Sequence, residues 1–325
     1  MRAFVYLACF GTLMGAARAA RNRAPRTAWV AARAAGVLGL IAAVYFASFV
    51  VMQAIPGGPF DAEAKLDPAV RARLAERAQG GRDHAWSSFD GLLGADLGPS
   101  LGLRDFSAGD VLLQGARRSA SLGGRALLLA LGFGVAVGLA SGVAGGRWDR
   151  LVCRFCDVMP TIPAFTLGAV LVWIVSFEAG WQPPAALDGR PPHLPAIAAA
   201  LPAAALFTRL VRDEAVRLRE ATFLTAARAR GASTVRVLIV HLAPAAFVPA
   251  ASYLGPAAAS LLTGTVAVEA VFGIPGLGTH LVQAALSRDL PVVVGATTLY
   301  AAALGACNLA GDLLGARLAP REASA

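Results

Sequence analysis

Four histidines, four cysteines and a single lysine are the residues from which this chain could assemble catalytic chemistry, and their spacing builds none. A P-loop needs a lysine that reaches the β and γ phosphates from a glycine-rich loop. Lys65 is followed by Leu66, with no such loop before it. Cys153-Arg154-Phe155-Cys156 is a lone CxxC. Zinc would require two more ligands nearby, and a redox motif a thioredoxin-like βαβ setting; neither is visible, and Cys9 and Cys307 are too dispersed for a disulfide framework. His84, His193, His241 and His280 fall in loops or at the ends of apolar runs, so the paired groups at depth that an intramembrane enzyme requires are not found. The sequence therefore points to a chain without a catalytic centre, metal or cofactor of its own.

Arginine is what it has instead. From Arg209 to Pro244 runs a basic, helix-prone stretch set between long apolar runs. Arg212 to Arg230 contains good helix formers and neither Pro nor Gly, which predicts a helix. Gly231 stops it by adopting a left-handed conformation at no steric cost. Ser233 is placed to cap a second helix, with Val235, Leu238, Ile239 and Leu242 at helical spacing, until Pro244. The product is a helix, a tight turn and a helix, able to press into a partner's groove.

The elements that must position this stretch are membrane spans. With 57% hydrophobic and 15% charged residues and a mean hydropathy of +0.61, the composition is that of an integral membrane protein. A net charge of +9 does not indicate nucleic acid, because the arginines flank apolar runs, as the positive-inside rule explains. Six spans are expected, at residues 34–55, 121–144, 158–177, 195–211, 245–268 and 292–314. Residues 1–33 form a cytoplasmic extension: Ala3 to Ala17 is too short to cross a bilayer, and a single arginine before it makes a poor signal peptide. Residues 56–120 form a long extracytoplasmic loop, 121–314 the core with a cytoplasmic loop at 212–244, and 315–325 a cytoplasmic tail. With both ends inside, 18 basic residues face the cytoplasm and ten face outward, eight of these in the long loop, where charge counts for little in orientation.

Within the spans a few residues stand out. Arg125 is expected to snorkel from the start of the second span. Gly132, Gly134, Gly138 and Gly142 suit close packing against another span. Pro160 and Pro163 should break or kink the third span, and Arg147, Arg150 and Arg154 mark a short cytoplasmic turn before it. Asn308 and Asp312 in the last span are open to a structural hydrogen bond or a pathway role.

Several segments, in order, resemble one family. Thr225-Ala226-Ala227-Arg228-Ala229-Arg230-Gly231, followed by His241 and Pro244, resembles the cytoplasmic EAA loop of ABC-importer permeases in the dipeptide and oligopeptide branch, with Thr225 where other branches carry glutamate. Ile55-Pro56-Gly57-Gly58-Pro59 and Gly94-Ala95-Asp96-Leu97-Gly98 resemble segments around the first extracytoplasmic loop of the first-permease type. Glu269, Phe272, Pro275, Gly276 and Gly278 match an E-x-x-F-x-x-PGLG pattern, and Asp289 and Pro291 an RDYPVV pattern in which Leu290 replaces tyrosine. Ala319 stands where the family's tail has aspartate.

The resemblance implies an all-α permease of the bacterial inner membrane, with both termini cytoplasmic. Its partners would be a second permease in a heterodimer, two cytoplasmic ABC ATPase subunits and an extracytoplasmic substrate-binding protein, with no nucleic acid. The Thr225–Pro244 residues would couple to the ATPase, and the Glu269–Pro291 residues would form an outer gate or loop motif. A secondary transporter driven by an ion gradient is the competing reading, and it lacks the expected inverted repeat and mid-span carboxylate.

Overall fold

The computed structural model describes residues 26–54, 100, 107–180 and 193–318. The segments at 55–59 and 94–98, residues 68–79 where the sequence suggests a short surface helix, Trp181, which it places at the membrane interface, and Ala319 lie outside the described residues. Every regular element among those described is helical: α1 Arg26–Ala54, α2 Ala108–Ala144, α3 Gly146–Val158, α4 Ala164–Leu171 with a π-helical continuation to Glu178, α5 His193–Leu218, α6 Thr222–Ala229, α7 Thr234–Ser252, α8 Leu254–Thr263, α9 Val266–Val271, α10 Leu277–Leu286 and α11 Leu290–Leu318.

Six helices are long and apolar enough to cross a membrane, the all-α integral membrane architecture expected: Ala28–Met52, Ala108–Ala144, His193–Leu218, Thr234–Ser252, Leu254–Val271 and Leu290–Gly315. They are not the same six segments. The fifth expected span is divided at Tyr253 into two qualifying helices, and the third is broken. Between α3 and α4 the chain bends by 106°. Pro163 is the cause: a residue before proline is driven from the α region, and Ile162 is extended at φ −91, ψ 123. The expected short turn after α2 is thus a 13-residue helix, α3.

Helix α2 is 37 residues long, about 55 Å at 1.5 Å per residue. It starts 13 residues before the expected span because Ser107 caps it: its Oγ accepts the Asp110 N–H at 3.0 Å and donates to Asp110 Oδ2 at 2.7 Å. Gly145, at φ 65, ends it. Arg125 consequently sits near the middle of a long helix rather than at its start, and its Nη1 is buried with no partner among the described residues.

Three of the four α2 glycines expected to pack against another span form a seam against α5. A Cβ at Gly134 would lie 2.5 Å from Phe207 Cβ, one at Gly138 would lie 2.7 Å from the Thr208 carbonyl oxygen, and one at Gly142 would lie 2.7 Å from Ala215 Cβ. Spaced by four, they lie on one face, so the two backbones approach closely and gain van der Waals contact that lipid would otherwise supply. Gly132 has nothing within 4 Å and lies off the seam. A second close approach joins α8 to α11, where a Cβ on Gly255 would meet the Cys307 carbonyl oxygen at 2.7 Å. Arg33 of α1 pairs with Asp312 of α11 at 2.9 Å, its guanidinium 5.6 Å over the Trp29 ring, so Asp312 ties two helices together.

The seam yields a paired prediction. Gly138→Ala should destabilise the purified protein by about 1–3 kcal/mol through overpacking, whereas Gly132→Ala should be neutral or stabilising by up to about 1 kcal/mol from helix propensity. Thermal unfolding in detergent followed by size-exclusion chromatography reads both; equal midpoints for the two variants would contradict the seam.

Candidate functional site

Two constellations lie at opposite ends of the bundle. The first is the arginine-rich stretch and the helix ends beneath it. Residues 212–230 are not the single expected helix: Arg212–Leu218 ends α5, the chain turns through Arg219–Ala221, and α6 begins at Thr222. Arg219 explains the break, since its Nε donates to the Gly142 carbonyl at 2.5 Å, one of the orphan acceptors in the last turn of α2.

Helix α6 buries Leu224 and Ala227 in the cluster that also holds Val211, Ala215, Val237 and Leu242. Thr225, Ala226, Arg228 and Arg230 are left exposed. Gly231 has φ +80, the left-handed stop expected of it. The Ala232 N–H donates to the Ala227 carbonyl at 3.2 Å and the Gly231 N–H to the Arg228 carbonyl at 2.9 Å, the two bonds of a Schellman motif. Ser233 Oγ then accepts the Arg236 N–H at 3.4 Å and opens α7.

Pro244 does not end this second helix. Val237–Leu242 are π-helical, and the Ala243 N–H donates to the Leu238 carbonyl five residues back. The widened turn accommodates a proline that cannot donate, and the helix runs on to Ser252. His241 is half-buried in that wide turn, while Pro244 is exposed. Val235, Ile239 and Val240 are more than half exposed beside Arg236. The stretch therefore presents apolar and cationic side chains together.

Beneath it lies a charged tie. Arg212 donates Nε to Asp149 Oδ1 at 2.9 Å and Nη2 to Oδ2 at 2.6 Å, and Ser141 Oγ donates to Oδ1 at 2.6 Å. This forked pair joins the ends of α2, α3 and α5. The Arg212 and Ser141 hydrogen bonds hold the Asp149 carboxyl down to about 2. Arg209 pairs with Asp157 at 3.1 Å, and Arg217 with Glu214. On α3, Cys153 and Cys156 are free thiols, and burial, with Cys153 alongside, pushes the Cys156 thiol up to about 11.

The second constellation surrounds Glu269, which is 0% exposed. Its Oε1 accepts from Ser119 Oγ at 2.6 Å and Thr265 Oγ1 at 2.9 Å, and its Oε2 accepts the Gly278 and Thr279 N–H groups at 3.1 and 3.2 Å. Ser119 Oγ also accepts the Leu277 N–H at 2.8 Å. The carboxylate thus caps the N-terminus of α10, where exposed amides and the helix dipole favour an anion. A Cβ on Gly276 would stand 2.4 Å from the Glu269 carboxylate, and one on Gly278 2.4 Å from Val266 Cγ2. Gly273, at φ +64, turns the chain between α9 and this cap. Arg118 Nη1 donates to the Pro275 carbonyl at 3.3 Å, and burial with Arg118 nearby lowers the His280 pKa.

The Glu269–Pro291 motif therefore does not converge on one point. Glu269, Gly276 and Gly278 meet, whereas Phe272 turns away to pack where Gly168 of α4 leaves room, a Cβ there lying 2.9 Å from its ring. Asp289 and Pro291 belong to the start of α11: Ser100 Oγ donates to Asp289 Oδ2 at 2.6 Å, and the Val292 N–H reaches Asp289 Oδ1 at 3.5 Å. Sequence reasoning missed Asp149, Ser141, Ser119 and Thr265. A lone acid among the arginines at 147–154 was a signal for the first; the hydroxyls carry none at the level of spacing.

A family model described as binding-protein-dependent transport system inner membrane component matches residues 134–324. The chain is 31% identical over 281 residues to the oligopeptide transport system permease protein OppB of Salmonella typhimurium, covering 84% of this chain and 92% of that protein. The corresponding protein of Escherichia coli K12 is 30% identical over the same shares. The dipeptide transport system permease protein DppB of Bacillus subtilis is 29% identical over 289 residues, covering 84% and 91%.

Each constellation makes a prediction. Glu269→Gln places an amide where two N–H groups and two hydroxyls now donate, and should cost about 1–3 kcal/mol of thermal stability; an unchanged midpoint would mean that the carboxylate is not holding α10. At the other end, Asp149→Asn should unfold at lower temperature than the parent near neutral pH. A carboxyl lowered to about 2 stabilises above its unfolded value near 4 and loses that contribution as pH falls between them. The gap between the two proteins should therefore persist at pH 5 and close only below about pH 4; a gap closing near pH 6 would implicate another group.

Proposed function

This chain belongs to the family of binding-protein-dependent transport system inner membrane components, as a multi-pass permease of an ABC importer, and on that premise we propose that it carries peptides inward. Its partners in this reading are a second permease in a heterodimer, two cytoplasmic ABC ATPase subunits that hydrolyse the nucleotide, and an extracytoplasmic substrate-binding protein that presents the solute. The names of the relatives support the solute class. An ion-gradient mechanism has no support in the family or the fold.

The observation that carries the reading is the turn at Gly231. It holds two helices whose inner faces are buried in the bundle and whose outer faces display Thr225, Arg228, Arg230, Val235 and Ile239. A surface anchored on one side and bare on the other suits docking to a cytoplasmic ATPase. We assign the coupling role to Thr225, Ala226, Ala227, Arg228, Arg230, Gly231, His241 and Pro244. Ala227 acts from beneath, as the residue that seats α6. Glu269, Phe272, Pro275, Gly276, Gly278, Asp289 and Pro291 we assign to the outer gate. The Arg33–Asp312 pair brings the start of α1 and the end of α11 together, which supports both termini lying on the cytoplasmic side with the coupling stretch.

In the proposed cycle, closure of the ATPase dimer displaces α6 and the start of α7. The Asp149–Arg212 tie passes the displacement to α2, α3 and α5, and the interface between the two permeases switches from inward-open to outward-open.

The test is purification from mild detergent, with co-purifying chains identified and peptide uptake assayed after reconstitution. Recovery of a second permease and P-loop subunits, with ATPase activity stimulated by the binding protein, is the expected result. Gly231→Val should leave membrane insertion intact and lower coupled uptake about tenfold, because a β-branched residue in the left-handed region costs about 1–2 kcal/mol. Charge reversal at Arg228 and Arg230 should weaken ATPase association. A chain that purifies alone, and still moves solute down an ion gradient, would overturn the proposal.

A further inference from the structure

We infer that α3 is a membrane-surface helix that binds the anionic headgroups of phospholipids at the coupling end of the bundle. Its residues divide around the helix axis into three arcs. Val152 and Cys156 are buried against the bundle, with Asp149 on the same side in its pair with Arg212. Next comes an apolar arc that the protein leaves uncovered: Trp148, Leu151 and Val158 are 48%, 58% and 50% exposed, and Phe155 lies between them at a helical spacing of three and four. Bordering it, Arg147, Arg150 and Arg154 are all exposed.

Two further observations choose lipid as the occupant. The first is orientation. α3 follows directly on the end of one candidate span and is set at 106° to the helix that follows it, so its axis lies across that helix rather than alongside it. Phe155 meets Phe133 of α2, ring centroids 5.9 Å apart, and Phe133 shares an exposed apolar face with Leu129 four residues before it. The uncovered arc of α3 is thus continuous with the outer surface of a span, which lipid tails cover.

The second is charge. At this end Arg33, Arg209, Arg212 and Arg217 have carboxylate partners, and Arg219 is bound to a carbonyl. Arg147, Arg150 and Arg154 have no partner among the described residues. Cations bordering an apolar arc, on a short polar helix at the edge of a membrane bundle, match an interfacial helix whose apolar side enters the acyl boundary and whose arginines meet phosphates. Because Asp149 of this helix also holds Arg212, bound lipid charge would bear on the tie beneath the coupling stretch. The inference does not depend on which solute is moved.

The experiment is a titration of the purified, detergent-solubilised whole chain with fluorescent phosphatidylglycerol, with phosphatidylcholine as the neutral control. Each arginine near an anionic surface contributes roughly fivefold in affinity. Arg147→Gln/Arg150→Gln/Arg154→Gln should therefore weaken phosphatidylglycerol binding on the order of a hundredfold and remove its salt dependence, without altering phosphatidylcholine binding. Trp148→Ser/Leu151→Ser should weaken both lipids while leaving the salt dependence in place, which keeps the idea testable should the triple variant fold poorly. In bilayer nanodiscs, a lipid carrying a quencher in its headgroup region should quench the wild type more than Trp148→Phe. Equal phosphatidylglycerol affinity in wild type and triple variant, or loss of ATPase co-purification without loss of lipid binding, would overturn the inference, the latter in favour of a protein partner.

Discussion

The close approach of α2 and α5 is the constraint on which both ends of this molecule depend. Lipid offers helices no hydrophobic reason to associate, so contact area must come from backbones brought near each other. Gly134, Gly138 and Gly142 supply that nearness. Once the two helices are fixed, the end of α2 presents Ser141 to Arg212 of α5 through Asp149, and the Gly142 carbonyl directly to Arg219 in the turn after α5. At the far end, the same α2 offers Ser119 to Glu269 and to the start of α10. Shifting the seam by one residue would misplace all of these groups together.

The two constellations solve the same difficulty in different ways. A charge withdrawn from water is costly unless it is met by partners. Asp149 is met by a guanidinium fork near the surface, where the pair is partly wet. Glu269 is met by no cation among the described residues, only by hydroxyls and amides. The amides are those that a helix start leaves without internal partners, so a single side chain answers the needs of Glu269 and of α10 at once.

Much of this was legible in the sequence, and the residues that were not share a cause. Gly231, Ser233 and the glycines of α2 announce themselves because backbone conformation and close packing restrict residue type locally. The span count was readable from hydropathy. The break at Ile162–Pro163 was flagged by the prolines, but its size was not, since proline fixes where a helix stops and tertiary packing sets the angle. The continuation of α7 through Pro244 was misjudged because a π turn, which relieves the missing donor, has no composition of its own. Asp149 and Ser119 find their partners 63 and 150 residues away in sequence, a separation across which spacing carries no information.

The Glu269 cap has a consequence for leakage. Any motion that draws α10 from α9 separates the carboxylate from the Gly278 and Thr279 amides, and hydrogen bonds to a charged group contribute about 1.5–3 kcal/mol each. Losing both disfavours the parted state by roughly two to four powers of ten in population. On the reading proposed above, in which this end is the outer gate, thermal agitation alone would open it too rarely to short-circuit the membrane potential.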